Sequence, residues 1–171
     1  MERLVTGQFV RTMARYNTRM NERLYEAAQR IPDAERKRDR GAFWGSIHGT
    51  LNHLLWGDRM WMSRFDPSNW QKPVVAQRDS ASLIGDFSQL AAERKQADAM
   101  IESWASSVSD TWLEGSLTWV SGSAGRELSM PTSFLVAHFF NHQTHHRGQA
   151  HALITACGEK TGDTDLFMVV L

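Results

Sequence analysis

The chain has 171 residues, with 19 lysines and arginines balancing 19 aspartates and glutamates. That length supports one domain with a sizeable core, and residues 1–171 read as such a domain. Zero net charge projects no strong field, which argues against a nucleic-acid or anionic-membrane surface. No run approaches the ~20 apolar residues of a membrane span. The first residues lack a signal peptide's apolar stretch. The single cysteine, Cys157, fits a reducing compartment, so the expected location is cytoplasmic. Seven tryptophans and eight methionines are many for this length. Such side chains supply burial area and are suited to an oligomer interface.

Phe9, Met13, Tyr16, Met20, Leu24 and Ala27 recur at spacings of three and four, which predicts a first helix over Val5–Ala28. Pro32 ends it. Asp33–Gly41, with Arg36, Lys37, Arg38 and Arg40, reads as a solvated charged connection. A second helix is expected over Ala42–Phe65, with Ile47, Leu51, Leu54, Leu55, Met62 and Phe65 as its apolar side. The polar stretch Asp66–Arg78, with Pro67 and Pro73, reads as a loop. A third helix is expected over Ser82–Ala105, with Arg94 and Asp98 one turn apart on its surface.

Leu117–Val120 has strand-favouring side chains, Ser121–Gly125 reads as a turn, and Arg126–Met130 reads as the returning strand. Two strands alone are marginal, so this hairpin should pack on the helices. Pro131 and Thr132 then open a fourth helix over Ser133–Ala156, with Gly158 as its C-cap glycine. The tail Thr161–Leu171 ends in an apolar run expected to dock in the core or an interface. The pattern is an all-α four-helix bundle with a small β-hairpin before the last helix. Bundles build metal sites from side chains on facing helices.

All seven histidines fall in two of these helices: His48 and His53, then His138, His142, His145, His146 and His151. His142 and His146 are four apart, which places them ~5–6 Å apart on one helix face. That face continues through Leu135, Phe139 and Leu153, so the pair should point inward. His138 lies one turn earlier on nearly the same face. His53 is the best third ligand. Gly49 and Gly57 flank it by one turn each, and a helix-interior glycine costs roughly 1 kcal/mol, so both should clear space around it. An isolated pair at this spacing is more often a satisfied core or surface pair. Five histidines on one helix, facing a glycine-flanked sixth, shift the reading to metal.

Three imidazoles with an open position describe a catalytic rather than a closed zinc site. Three neutral imidazoles suit zinc, nickel, iron or copper, with zinc or nickel expected first. Asp58, Asn52, Asn141, Gln143 and Gln149 are near enough in sequence to orient the rings. Trp56, Met60, Trp119 and Phe139 are candidates for a pocket lining, although such side chains are more often simply core. No glutamate has a histidine three residues later, so a di-iron carboxylate site is excluded. HExxH, P-loop and CxxC motifs are absent.

The segment Asn141-His-Gln-Thr-His-His-Arg-Gly-Gln149 resembles the C-terminal helix motif of the DinB family of damage-inducible proteins. Ser46–Leu55 with Asp58 and Trp61 is similar to that family's first metal-ligand segment, and Tyr16–Asn21 and Asp165–Phe167 match its usual pattern. The resemblance implies an up-down-down-up four-helix bundle with a long crossover and a divalent metal held by His53, His142 and His146. It gives His138, Arg147 and Gln149 supporting roles, and it implies a homodimer. Relatives in the wider superfamily transfer low-molecular-weight thiols such as bacillithiol or mycothiol, and one isomerises maleylpyruvate with mycothiol. The implied function is therefore a metal-dependent thiol S-transferase, acting on an electrophilic small molecule, or a related hydrolase. The alternatives are a non-catalytic metal-binding stress-response module and a metal-free bundle with histidines in its core.

Overall fold

The computed structural model describes residues 4–122 and 124–170. Ser123 of the expected hairpin turn and Leu171 of the apolar tail lie outside the described residues. Helix α1 spans Gly7–Arg30, and the Thr6 side chain caps it by accepting from the Phe9 amide. A short helix, α2 (Asp33–Lys37), occupies the expected charged connection. Lys37 and Arg38 are exposed there, but Arg36 is buried. It donates to the carbonyls of Ala28 and Ile31 and lies 4.2 Å from the centre of the Phe87 ring. Arg36 thus satisfies the end of α1, where helical carbonyls lack partners. The wholly solvated reading of this run fails at that residue.

Helix α3 spans Ile47–Phe65, with the Ser46 hydroxyl accepting from the Gly49 amide. It starts five residues later than the expected Ala42, because Ala42–Gly45 forms a tight turn. The Gly45 amide donates to the Ala42 carbonyl at 2.8 Å, and Gly45 has a φ of 73°, which only glycine adopts cheaply. A 3₁₀ helix, Gln77–Ser82, closes the following loop. Helix α4 spans Phe87–Ser107 and starts behind the Asp86 cap, not at Ser82. After α5 (Asp110–Leu113), strands β1 (Ser116–Ser121) and β2 (Arg126–Pro131) pair antiparallel, with Trp119 opposite Leu128. Helix α6 spans Thr132–Thr155, and Gly158 follows with a φ of 86°.

The tail forms α7, Leu166–Val170, which packs against α1. Leu166, Phe167 and Met168 are exposed, so the tail does not enter the core. Polar bonds hold the segment before it: Tyr16 Oη donates to the Thr164 carbonyl at 2.7 Å, and Arg23 donates to that of Asp163.

The four long helices make a closed ring of contacts. α1 packs on α4 and α6, and α3 packs on the same two. Their apolar faces meet in a core that includes Leu24, Leu51, Leu55, Ile101 and Phe139, all fully buried. One charged cluster interrupts it. Arg94 and Asp98, expected on the surface of α4, are 2% and 3% exposed. Arg94 Nη1 donates to Asp58 Oδ2 at 2.5 Å, and Nη2 lies 2.8 Å from Asp98 Oδ1. Asn21 donates to Asp98 at 2.9 Å, and Gln143 donates to the other oxygen of Asp58 at 2.9 Å. Arg147 donates to Asn17, which itself donates to Asp98. The cluster ties α1, α3, α4 and α6 together beside the histidines. Buried charges persist only when paired like this.

Candidate metal centre

The packing of α3 on α6 brings His53, His142 and His146 together. One ring nitrogen from each lies within 4.8 Å of the other two, an arrangement that could hold a metal ion. Ring centres are 5.4 Å apart for His53–His142, 4.6 Å for His53–His146 and 4.4 Å for His142–His146. Two rings carry an orienting partner. His146 Nδ1 is 2.7 Å from the Gln149 Oε1. A carbonyl oxygen only accepts, so Nδ1 keeps the hydrogen and Nε2 keeps its lone pair. His53 Nδ1 is 2.9 Å from the Ser80 hydroxyl, which leaves its Nε2 free. Among the described residues, the buried His142 Nδ1 has no hydrogen-bond partner.

Burial, aided by the neighbouring histidines, pushes His53 and His142 down to about 3. Burial also lowers His146, against the opposing pull of its bond to Gln149. All three are therefore neutral at pH 7, the form a metal requires. Neutral rings, free Nε2 atoms and an orphaned buried nitrogen fit a divalent cation.

The glycines have separate reasons. A Cβ on Gly57 would meet His142 Cε1 at 2.7 Å, so the helix is bare there to seat that ring. A Cβ on Gly49 would clash with the Trp44 carbonyl. Gly49 thus admits the turn before α3, and that turn lays Trp44 flat on His53, ring centres 3.7 Å apart and 18° from parallel. The indole covers one face of the His53 ring and keeps water off it.

The remaining histidines separate cleanly. His48 Nε2 is 2.8 Å from the Ile84 carbonyl, and His151 Nδ1 is 2.7 Å from the Thr161 hydroxyl, so both tie backbone segments together. His145 is exposed beside His146. His138 stands in the wall of a cavity of ≈ 1000 Å³ that also reaches His142, Trp44, Trp56 and Gly57. Its ring centre is 6.1 Å from that of His142 and 5.0 Å from Trp61. Trp56, Met60 and Trp119 line this cavity, against the commoner core reading, whereas Phe139 is 0% exposed and belongs to the core. Among the expected orienting residues, Gln149 touches a ring. Asp58 and Gln143 bond each other, Asn52 bonds the carbonyls of His48 and Ile84, and Asn141 is exposed. Ser80 was not foreseen. It lies 27 residues from His53, in the 3₁₀ helix Gln77–Ser82, with no periodicity to mark it.

The sequence profile of the DinB family matches residues 2–169. The chain belongs to the DinB family. No curated protein matches it. Among solved structures it is similar to a DinB-like protein from Bacillus cereus, at 17% identity and a TM-score of 0.62, over 85% of this chain and 91% of that one. At that identity the likeness speaks for the shared fold, mostly helical with a small two-stranded sheet. Among the described residues, no helix is long and apolar enough to cross a membrane.

Proposed function

We propose that this DinB-family chain is a metal-dependent enzyme in which His53, His142 and His146 ligate a divalent ion, zinc or nickel before iron. The reaction we assign is transfer of a low-molecular-weight thiol to an electrophilic small molecule, with hydrolysis as the related outcome. One observation carries the reading: the three neutral imidazoles converge where His142 enters the wall of a ≈ 1000 Å³ cavity. A closed structural site has no need of such a space, and a catalytic one does. The ion would supply Lewis acidity, making a bound thiol or water the anionic nucleophile near neutral pH.

The chain's own residues do the remaining work. Ser80 and Gln149 hold two rings with Nε2 directed away from their partners. Trp44 keeps solvent from the His53 ring face. His138 is lowered by burial and by Arg64, so its ring is neutral and free to take a proton from the incoming thiol at a ring nitrogen. No protein nucleophile is needed; Cys157 sits beyond α6, packed against the core.

We also place the chain in the cytoplasm as one domain, an up-down-down-up bundle acting as a homodimer. The closed ring of helix contacts and the exposed apolar face of α7 support that arrangement. The test is a panel of thiols and electrophiles assayed with zinc-loaded wild type beside His53→Ala. Conjugation or hydrolysis that depends on His53 supports the proposal. Zinc that raises the melting temperature without any turnover across the panel favours a non-catalytic metal-binding module instead.

A further inference from the structure

The cavity beside the histidines has one sign of charge. Among its described lining residues, Arg64, Lys72 and Arg78 are cationic, and none is an aspartate or glutamate. Lys72, on a loop, and Arg78, in the 3₁₀ helix, are both exposed, and Arg78 faces Asp79 at 3.4 Å. Arg64 is different. It is half-buried, and its guanidinium lies 4.5 Å from the centre of the Trp61 ring and 5.5 Å from that of Trp119. It has no hydrogen bond or ion pair among the described residues. Burial alone acts on its titration, with no carboxylate to oppose it.

Among the described residues, the buried arginines are all engaged. Arg36 has carbonyls and Asp33, Arg94 has Asp58 and Asp98, and Arg147 has Asn17. A partly desolvated cation without a counter-charge is costly, and contact with indole faces offsets only part of that cost. A guanidinium over a ring keeps its planar N–H edge for a carboxylate, which it grips with two parallel bonds. Much of the remaining wall is apolar. Phe43, Val74, Val120, Met130 and Phe134 line the cavity yet remain exposed, an unusual grouping for large apolar side chains.

We propose that the cavity takes an amphiphilic organic anion, a carboxylate on an aromatic or branched apolar body, with the carboxylate on Arg64 and the body against the exposed apolar wall of Val74, Val120, Met130 and Phe134. That its reactive end lies toward His142 rests on the metal-centre reading above. Arg64 sets specificity, and the histidines carry the chemistry.

The probes are 2-naphthoate and its neutral counterpart 2-naphthamide, titrated calorimetrically into zinc-loaded and metal-free protein. Wild type, Arg64→Gln and Arg64→Lys are compared, with zinc per chain and melting temperature recorded for each. Wild type should prefer the acid over the amide by roughly tenfold or more, with or without zinc. Arg64→Gln should erase that preference, Arg64→Lys should restore part of it, and zinc content should not change. Equal binding of the two probes, or no binding of either, overturns the inference. So does a preference that survives Arg64→Gln or appears only with zinc, since the carboxylate would then sit on the metal. Protein that takes up no zinc but keeps an Arg64-dependent preference sinks the metal reading and leaves this inference standing.

Discussion

Gly57→Ala separates the needs of the fold from those of the metal centre. The new Cβ would lie 2.7 Å from His142 Cε1, 3.4 Å from Nδ1 and 3.6 Å from Nε2. Its neighbour is the end of a side chain, so the ring gives way rather than the backbone. To reach an ordinary contact of about 3.4 Å, the ring must retreat by more than three times the ~0.2 Å tolerance of a zinc–nitrogen bond. Displacing one of three ligands by that much should weaken zinc binding by about 100-fold, the upper end of what lost ring-orienting contacts cost. The metal-free fold should hardly notice. Alanine gains roughly 1 kcal/mol of helix propensity, which offsets about the same in crowding. The melting temperature should stay within about 4 °C of wild type. Competition titration against a zinc chelator gives the affinity, and a thermal melt of metal-free protein gives the stability. Zinc affinity within about threefold of wild type would refute both the seating role of Gly57 and the place of His142 in the metal set.

Ser80→Ala removes the partner of His53 Nδ1 and should weaken zinc binding by about tenfold, with little change in metal-free melting. Zinc at about 100 times its dissociation constant should stabilise wild type by ~2.7 kcal/mol, a rise of several degrees that His53→Ala lacks. Metal-free protein should lose stability below neutral pH. His53 and His142 stay neutral when folded because their values fall to about 3, whereas the unfolded chain takes up protons below about 6.5. The unfolded state then binds more protons, so stability present above pH 6.5 is lost as pH falls. Between pH 7.5 and 5.5 the loss should be about 1 kcal/mol per ring, allowing for the water His142 still meets. Urea melts at both pH values check this, and the His53→Ala/His142→Ala variant should lose correspondingly less. Arg94→Met strands Asp58 and Asp98 in the core. It should cost about 3–5 kcal/mol, and a melting temperature close to wild type would show that the cluster is not needed.

The parts of this molecule that were legible in the sequence are those with a period. The four long helices and the hairpin follow from apolar spacing and from Pro131 and Gly158. The convergence of His53, His142 and His146 follows from i, i+4 geometry and a glycine-flanked partner. Helix starts were misplaced where an apolar run continued past the true cap: Ala42-Phe43-Trp44 reads as helix, but Ser46 and Gly45 set the boundary. Arg94 and Asp98 were misread because a charged pair one turn apart looks the same on a surface as in a core. Only the packing of Asp58 and Asn21 against them decides the matter. Gly49 and Gly57 promised space, and three dimensions were needed to show that one admits Trp44 and the other His142. Ser80, Trp44 and Arg64 act through contacts between segments that no spacing along the chain records.

The most direct test of the central claim is elemental mass spectrometry of untagged protein beside His53→Ala and His146→Ala. The account predicts about one divalent ion per chain in wild type, zinc or nickel first, and none in either variant. A wild type that is isolated empty, and that then fails to take up zinc, nickel or iron, would contradict it.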